Sequence, residues 1–211
     1  PAEQLRLRTD YDQWPVALGA PWRDADHDGG YSPSFNSWLT DPYTTDGPQI
    51  LGDEMRWAVM NDLNSRNVHD LHGTNPVGME MQASSWAYDR RDCLARAVFT
   101  RYRFINKGFL NFDSVYLAIW SDPDVGTGLD DRAGVDTTRN LAYAYNGYRS
   151  DETAGEIGAV GYVLLQGPVA DAPGHVARFR DREIANKRNL PFTAFTVYTN
   201  GTAPYVDPRL G

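Results

Sequence analysis

Cysteine, histidine and long apolar runs are what this 211-residue chain has least of. Cys93 stands alone in Arg91-Asp92-Cys93-Leu94, which rules out an intramolecular disulfide. With no histidine or second cysteine beside it to activate it, it reads as an idle thiol. No window approaches the ~20 apolar residues of a membrane-spanning helix. Positive charge is also scarce: 20 Lys and Arg face 28 Asp and Glu, a net charge of -8. That balance argues against a nucleic-acid partner, which needs clustered cations to face phosphate. The chain has no G-x-S-x-G elbow, P-loop, H-E-x-x-H or G-x-G-x-x-G, so no complete catalytic signature is present.

Aromatic and turn-forming residues are abundant. Six Trp, 12 Tyr, 19 Gly and 13 Pro favour many short strands joined by turns over a helical bundle. The expected fold is mainly β: a single β-sandwich-like domain spanning 1–211, with long ordered loops and at most one or two short helices. Residues 1–56 carry little periodicity and many turn formers, and read as a loop-rich N-terminal region ahead of a sandwich core at 57–211. Met55 to Asn61 reads as a strand or a turn of helix, followed by a polar loop through Asn75-Pro76. Gly78 to Tyr88 and Ala97 to Asn106 alternate with period two and read as strands. Ser114-Val115-Tyr116-Leu117-Ala118-Ile119-Trp120 is apolar on both faces and reads as a central strand. Leu141 to Tyr145, Ala159 to Gln166 and Phe192 to Thr199 complete the strands, and charged Val176 to Arg188 suits one surface helix.

Chemistry is concentrated in two acidic stretches. Asp24-Ala25-Asp26-His27-Asp28-Gly29-Gly30-Tyr31 places three carboxylates at alternate positions before two glycines, a pattern that wraps a hard cation. Ca²⁺ takes six to eight oxygen ligands, here Asp24, Asp26, Asp28 and the Gly30 carbonyl. Phe35 occupies the place where an EF-hand has its bidentate Glu, and no amphipathic helix flanks the loop. The remaining ligands must come from elsewhere, with Asp41, Asp46 and Asp53 the nearest candidates. The second stretch follows Trp120: Asp122, Asp124, Asp130, Asp131 and Asp136 could hold another cation around Gly126 and Gly128. It could equally be a polar loop with Asp at turn positions, or supply a glycosidase's pair of carboxylates. His69 and His72 have a spacing that suits zinc, but read better as solvated residues. Trp38, Tyr43, Tyr148 and Tyr205 are either a sugar-stacking platform or, more simply, aromatics plugging the core.

Several ordered motifs resemble a known group. Asp12-Gln13-Trp14-Pro15, Gly19-Ala20-Pro21-Trp22, the D-x-D-x-D-G-x-Y loop and Asn75-Pro76-Val77-Gly78-Met79-Glu80 come first. Phe99 to Lys107, Asp113 to Tyr116, Trp120 to Asp124, Asp136-Thr137-Thr138 and Asn189 to Phe195 follow. Together they resemble large bacterial secreted surface proteins that end in a type IX secretion sorting domain. The resemblance implies an exported, multidomain parent and transfers no catalytic residue. The expected function is a non-enzymatic, extracellular structural or adhesion module of a cell-surface or filament-like protein, stabilised by one or two Ca²⁺ ions. Its partners would be neighbouring subunits or glycans. The alternative is a carbohydrate-binding or glycoside-hydrolysing module using the Asp122–Asp136 loop.

Overall fold

The computed structural model describes residues 2–126, 131–147, 158–179 and 182–198. The chain divides into two compact units, one covering Pro1–Ser114 and one beginning at Val115. The seam therefore falls at Ser114/Val115. The loop-rich stretch 1–56 shares a unit with the strands that follow it.

The fold is mainly β, with long ordered loops and a few short helices. In the first unit, β1 (Trp22–Arg23) pairs antiparallel with β2 (Gly47–Pro48). A three-stranded antiparallel meander follows: β3 (Glu54–Asn61), β4 (Met79–Ala87) and β5 (Val98–Asn106). Period-two alternation sorts its faces. Met55, Trp57 and Val59 of β3 are half-buried, whereas Glu54, Arg56, Ala58 and Met60 are exposed. Trp86 of β4 stacks on Phe99 of β5 across the half-buried face, with ring centroids 5.6 Å apart.

Helices occupy the connections. α1 (Ala2–Asp12) is exposed except at Tyr11 among its described side chains, and so has no apolar stripe to betray it. α2 (Phe35–Thr40) starts at Ser34, whose hydroxyl accepts the Ser37 N–H as an N-cap. α3 (Ser65–His72) lies where a polar loop was expected. Gln82 on β4 donates its amide to the Leu18 carbonyl at 3.1 Å, tying the N-terminal region to the meander.

In the second unit, β6 (Arg132–Asp136), β7 (Leu141–Tyr145) and β8 (Ala159–Val163) form a second antiparallel meander. β9 (Val169–Phe179) and β10 (Arg182–Asn189) pair as a separate hairpin. Three expectations fail here. The described part of Val176 to Arg188 lies in the β9–β10 hairpin and not in a helix, because cross-strand pairs from Arg182–Phe179 to Ala185–Val176 hold it extended, with a bulge between Ala185 and Lys187 and Asn186 at φ 59°. Ser114 to Trp120 is not a central strand: no strand pairs with it among the described residues, and its side chains are exposed. Residues 192–198 likewise form no strand.

Candidate metal centre

The short β1–β2 ladder builds the site. Its register pairs Trp22 with Pro48 and Arg23 with Gly47, so the next residues out, Asp24 and Asp46, come to face each other. Asp46 also bridges in parallel to Pro33, where the acidic loop ends. One carboxylate thus sits between the two ends of the loop. Asp46 is 2% exposed. Its Oδ1 accepts the Ala25 N–H at 2.8 Å, and its Oδ2 accepts the Ser32 N–H at 2.8 Å and the Ser32 hydroxyl at 3.3 Å.

The loop's own carboxylates fold it. Asp28 N–H donates to Asp26 Oδ1 at 3.2 Å, Gly29 N–H to Asp24 Oδ2 at 3.1 Å, and Gly30 N–H to Asp28 Oδ1 at 2.6 Å. His27 and Gly29 take the left-handed conformation, with φ of 62° and 79°, which turns the chain so that alternate side chains converge. The result brings one carboxylate oxygen from each of Asp24, Asp26, Asp28 and Asp46 within 4.8 Å of one another. Of the three outside ligands the sequence suggested, only Asp46 joins. Asp41 Oδ1 caps the Tyr43 N–H, and Asp53 Oδ2 accepts the Asp89 N–H.

Electrostatics separate the members. Burial would raise Asp46, but hydrogen bonds from the backbone of Ser32 and Ala25, the Ser32 hydroxyl and the charge of Arg23 outweigh it and hold its carboxyl below the ordinary range. Asp26 goes the other way. The Asp28 N–H lowers it, yet desolvation, the charges of Asp28 and Asp46 and the hydrogen bond with Asp24 together push it up. Asp24 Oδ1 is buried with no hydrogen-bond partner. An orphaned carboxylate oxygen inside a carboxylate cluster is what an oxygen-seeking cation would satisfy, so these residues could hold a metal ion. Four Asp oxygens leave places for backbone oxygen or water in a six- to eight-fold shell.

Aromatic residues support the site from behind. The Tyr11 hydroxyl donates to the Asp46 carbonyl, and the Tyr31 hydroxyl donates to the Tyr11 carbonyl at 2.6 Å. Burial raises both phenols, Tyr31 more strongly. Tyr11 packs on Phe35 and Trp38 at 5.6 and 5.3 Å, so Trp38 is a packing residue of this cluster. Tyr43 is exposed and lies under the Arg23 guanidinium, 5.0 Å from its ring centre. Gly47 leaves space for the Tyr11 ring, which a Cβ there would meet at 3.1 Å.

The second acidic stretch is not gathered in this way. Among the described residues, Asp122, Asp124, Asp131 and Asp136 form no group of three acidic side chains within reach of one ion. Asp130 lies outside the described residues, as do Tyr148 and Tyr205. Asp136 ends β6 and is committed to its turn. It accepts the Thr138 N–H and hydroxyl at 3.0 and 2.6 Å and pairs with Arg139, which draw its carboxyl down to about 2. Asp131 Oδ2 accepts the Val125 N–H at 2.8 Å. Tyr31 closes the acidic motif of the sequence, whereas Tyr11, which also braces the candidate metal centre, was not signalled by any spacing. No protein-family model, no curated protein and no solved structure matches the chain.

Proposed function

We propose that this chain is a non-enzymatic, extracellular structural or adhesion module of a bacterial cell-surface or filament-like protein, stabilised by Ca²⁺ at Asp24, Asp26, Asp28 and Asp46. The observation that carries the reading is the placement of this cluster: four carboxylates converge where two chain segments must be held together, with one buried oxygen left unpaired. A cation there cross-links the loop to the β2 segment, and its role is mechanical. The motif resemblance to type IX secreted surface proteins supports the extracellular setting, where free Ca²⁺ is plentiful. The glycosidase alternative loses support at Asp136, whose oxygens already serve Thr138 and Arg139.

An ion that binds the folded state only adds stability by mass action, about 2.7 kcal/mol at a hundredfold excess over Kd. Scanning calorimetry after EDTA treatment is expected to show a lowered melting temperature that added Ca²⁺ restores. An identical melting curve in EDTA and Ca²⁺ would sink the reading.

A further inference from the structure

The least explained segment of the molecule is Val115-Tyr116-Leu117-Ala118-Ile119-Trp120. It runs without helix, turn or bend, and makes no backbone hydrogen bond to any described residue. Val115, Tyr116, Leu117, Ile119 and Trp120 are 59, 85, 52, 68 and 58% exposed, and only Trp120 has a ring partner among the described residues, Tyr198 at 5.2 Å. Four of the six residues are β-branched or aromatic and none is charged, Pro or Gly, the pattern that completes another sheet. Left in water, such a run carries an unusual apolar exposure for a soluble chain.

We infer that Val115–Trp120 is an assembly strand that adds to the open β5 edge of a second copy of this chain. Strand addition of this kind takes its affinity from main-chain hydrogen bonds and its selectivity from the side chains at the edge. β5 pairs with β4 on one side only, among the described residues. It is nine residues long, enough to seat all six, and its Val98, Tyr102 and Phe104 are 74, 46 and 42% exposed. Charge selects this edge over the others. The run is bracketed by Asp113 on one side and by Asp122 and Asp124 on the other, whereas β5 carries Arg101 and Arg103. β3, the opposite edge of the same meander, is bracketed by Asp53, Glu54 and Asp62, which would repel an acidic segment. β6 and β8 have five residues each, and the β9–β10 ladder is broken at Asn186 into runs of four and three pairs, so none of these edges seats the whole run in one register.

This contact is head-to-tail. Each added copy offers a fresh segment and a fresh edge, so association continues into a row of copies until geometry closes it. The proposal goes beyond the calcium reading and is independent of it.

Sedimentation of the full chain over a wide range of concentrations, in saturating Ca²⁺, tests it. The wild-type mass is expected to rise at least twofold over that of a single chain. Leu117→Pro, which blocks the strand, and Arg103→Glu, which inverts the edge, should each remain single. Mixing Arg103→Glu with Asp113→Lys/Asp122→Lys copies should restore association. Leu117→Pro should also keep the wild-type melting temperature, because the Leu117 N–H donates to nothing within the described chain. A wild type that stays single at every concentration overturns the proposal, as does association that both variants leave intact. A Leu117→Pro chain that melts earlier with no change of mass also overturns it, since the strand would then pair within its own chain.

Discussion

Asp46 has two separable roles, and substitutions can tell them apart. It holds the Ala25 and Ser32 N–H groups, and under the proposed function it also offers an oxygen to the cation. Asp28 is exposed and, beyond its loop bond to Gly30, contributes mainly charge. Asp46→Ala is expected to lower stability by about 1–3 kcal/mol even in EDTA, the usual worth of hydrogen bonds to a charged group. Asp28→Asn should lower the melting temperature in Ca²⁺ and change little in EDTA. Denaturant unfolding with and without chelator reads both. Asp136 gives a pH signature elsewhere. Its folded-state value is depressed from 3.8 to about 2, so its contribution is present above the ordinary carboxylate value and is lost as pH falls through that window. Asp136→Asn is therefore expected to melt below wild type at neutral pH, and the two should converge towards pH 2. A gap of constant size across acid titration would refute that assignment.

Elements here depend on a few polar contacts more than on apolar area. α1 docks through Tyr11, its one buried described side chain, whose hydroxyl reaches the Asp46 carbonyl. Tyr11→Phe should cost about 1–2 kcal/mol by leaving that carbonyl unpaired, and amide exchange along α1 should speed up. At one end of the first meander, the Asp62 carboxylate accepts the N–H groups of Val77, Gly78 and Met79 at 2.6 to 3.2 Å. Gly78 sits there at φ 80°, where a Cβ would come 2.6 Å from the Gly108 Cα. Gly78→Ala is expected to destabilise the first unit by about 1–3 kcal/mol, the usual cost of a strained backbone position, read by denaturant titration.

How much of this was legible follows from which forces act locally. β4 and β5 were visible because period-two alternation is a local consequence of a half-buried sheet. The Asp24–Asp28 convergence was visible too, because spacing and glycine fix it within seven residues. Asp46 could only be short-listed, since its arrival depends on the β1–β2 register, a contact between residues more than twenty apart in sequence. α1 was missed because a helix without an apolar face has no period to detect. Val176–Arg188 was mistaken for a helix because the β9–β10 hairpin is mostly exposed and bulged, and so shows no period-two pattern to detect. Ser114–Trp120 was read as a strand from its composition, but a strand forms only when an edge is supplied to it.

At the scale of the molecule, the candidate ion site lies wholly within the unit covering Pro1–Ser114. No helix among the described residues is long and apolar enough to cross a membrane. Calcium should act on one unit and spare the other. Calorimetry is expected to resolve a transition that moves with Ca²⁺ from one that does not. Amide chemical-shift changes on titration should cluster between Tyr11 and Pro48 and leave β6 to β10 untouched. Equal shifts in both units would contradict a local site.

The packing of Trp22 against Tyr31, with ring centroids 5.6 Å apart at the two ends of the acidic loop, has an optical consequence. Light absorbed by these rings has a short path to any luminescent lanthanide seated among the four carboxylates. Terbium added to the protein should glow green under ultraviolet excitation, and calcium should quench that glow by displacement. The loop carries its own antenna.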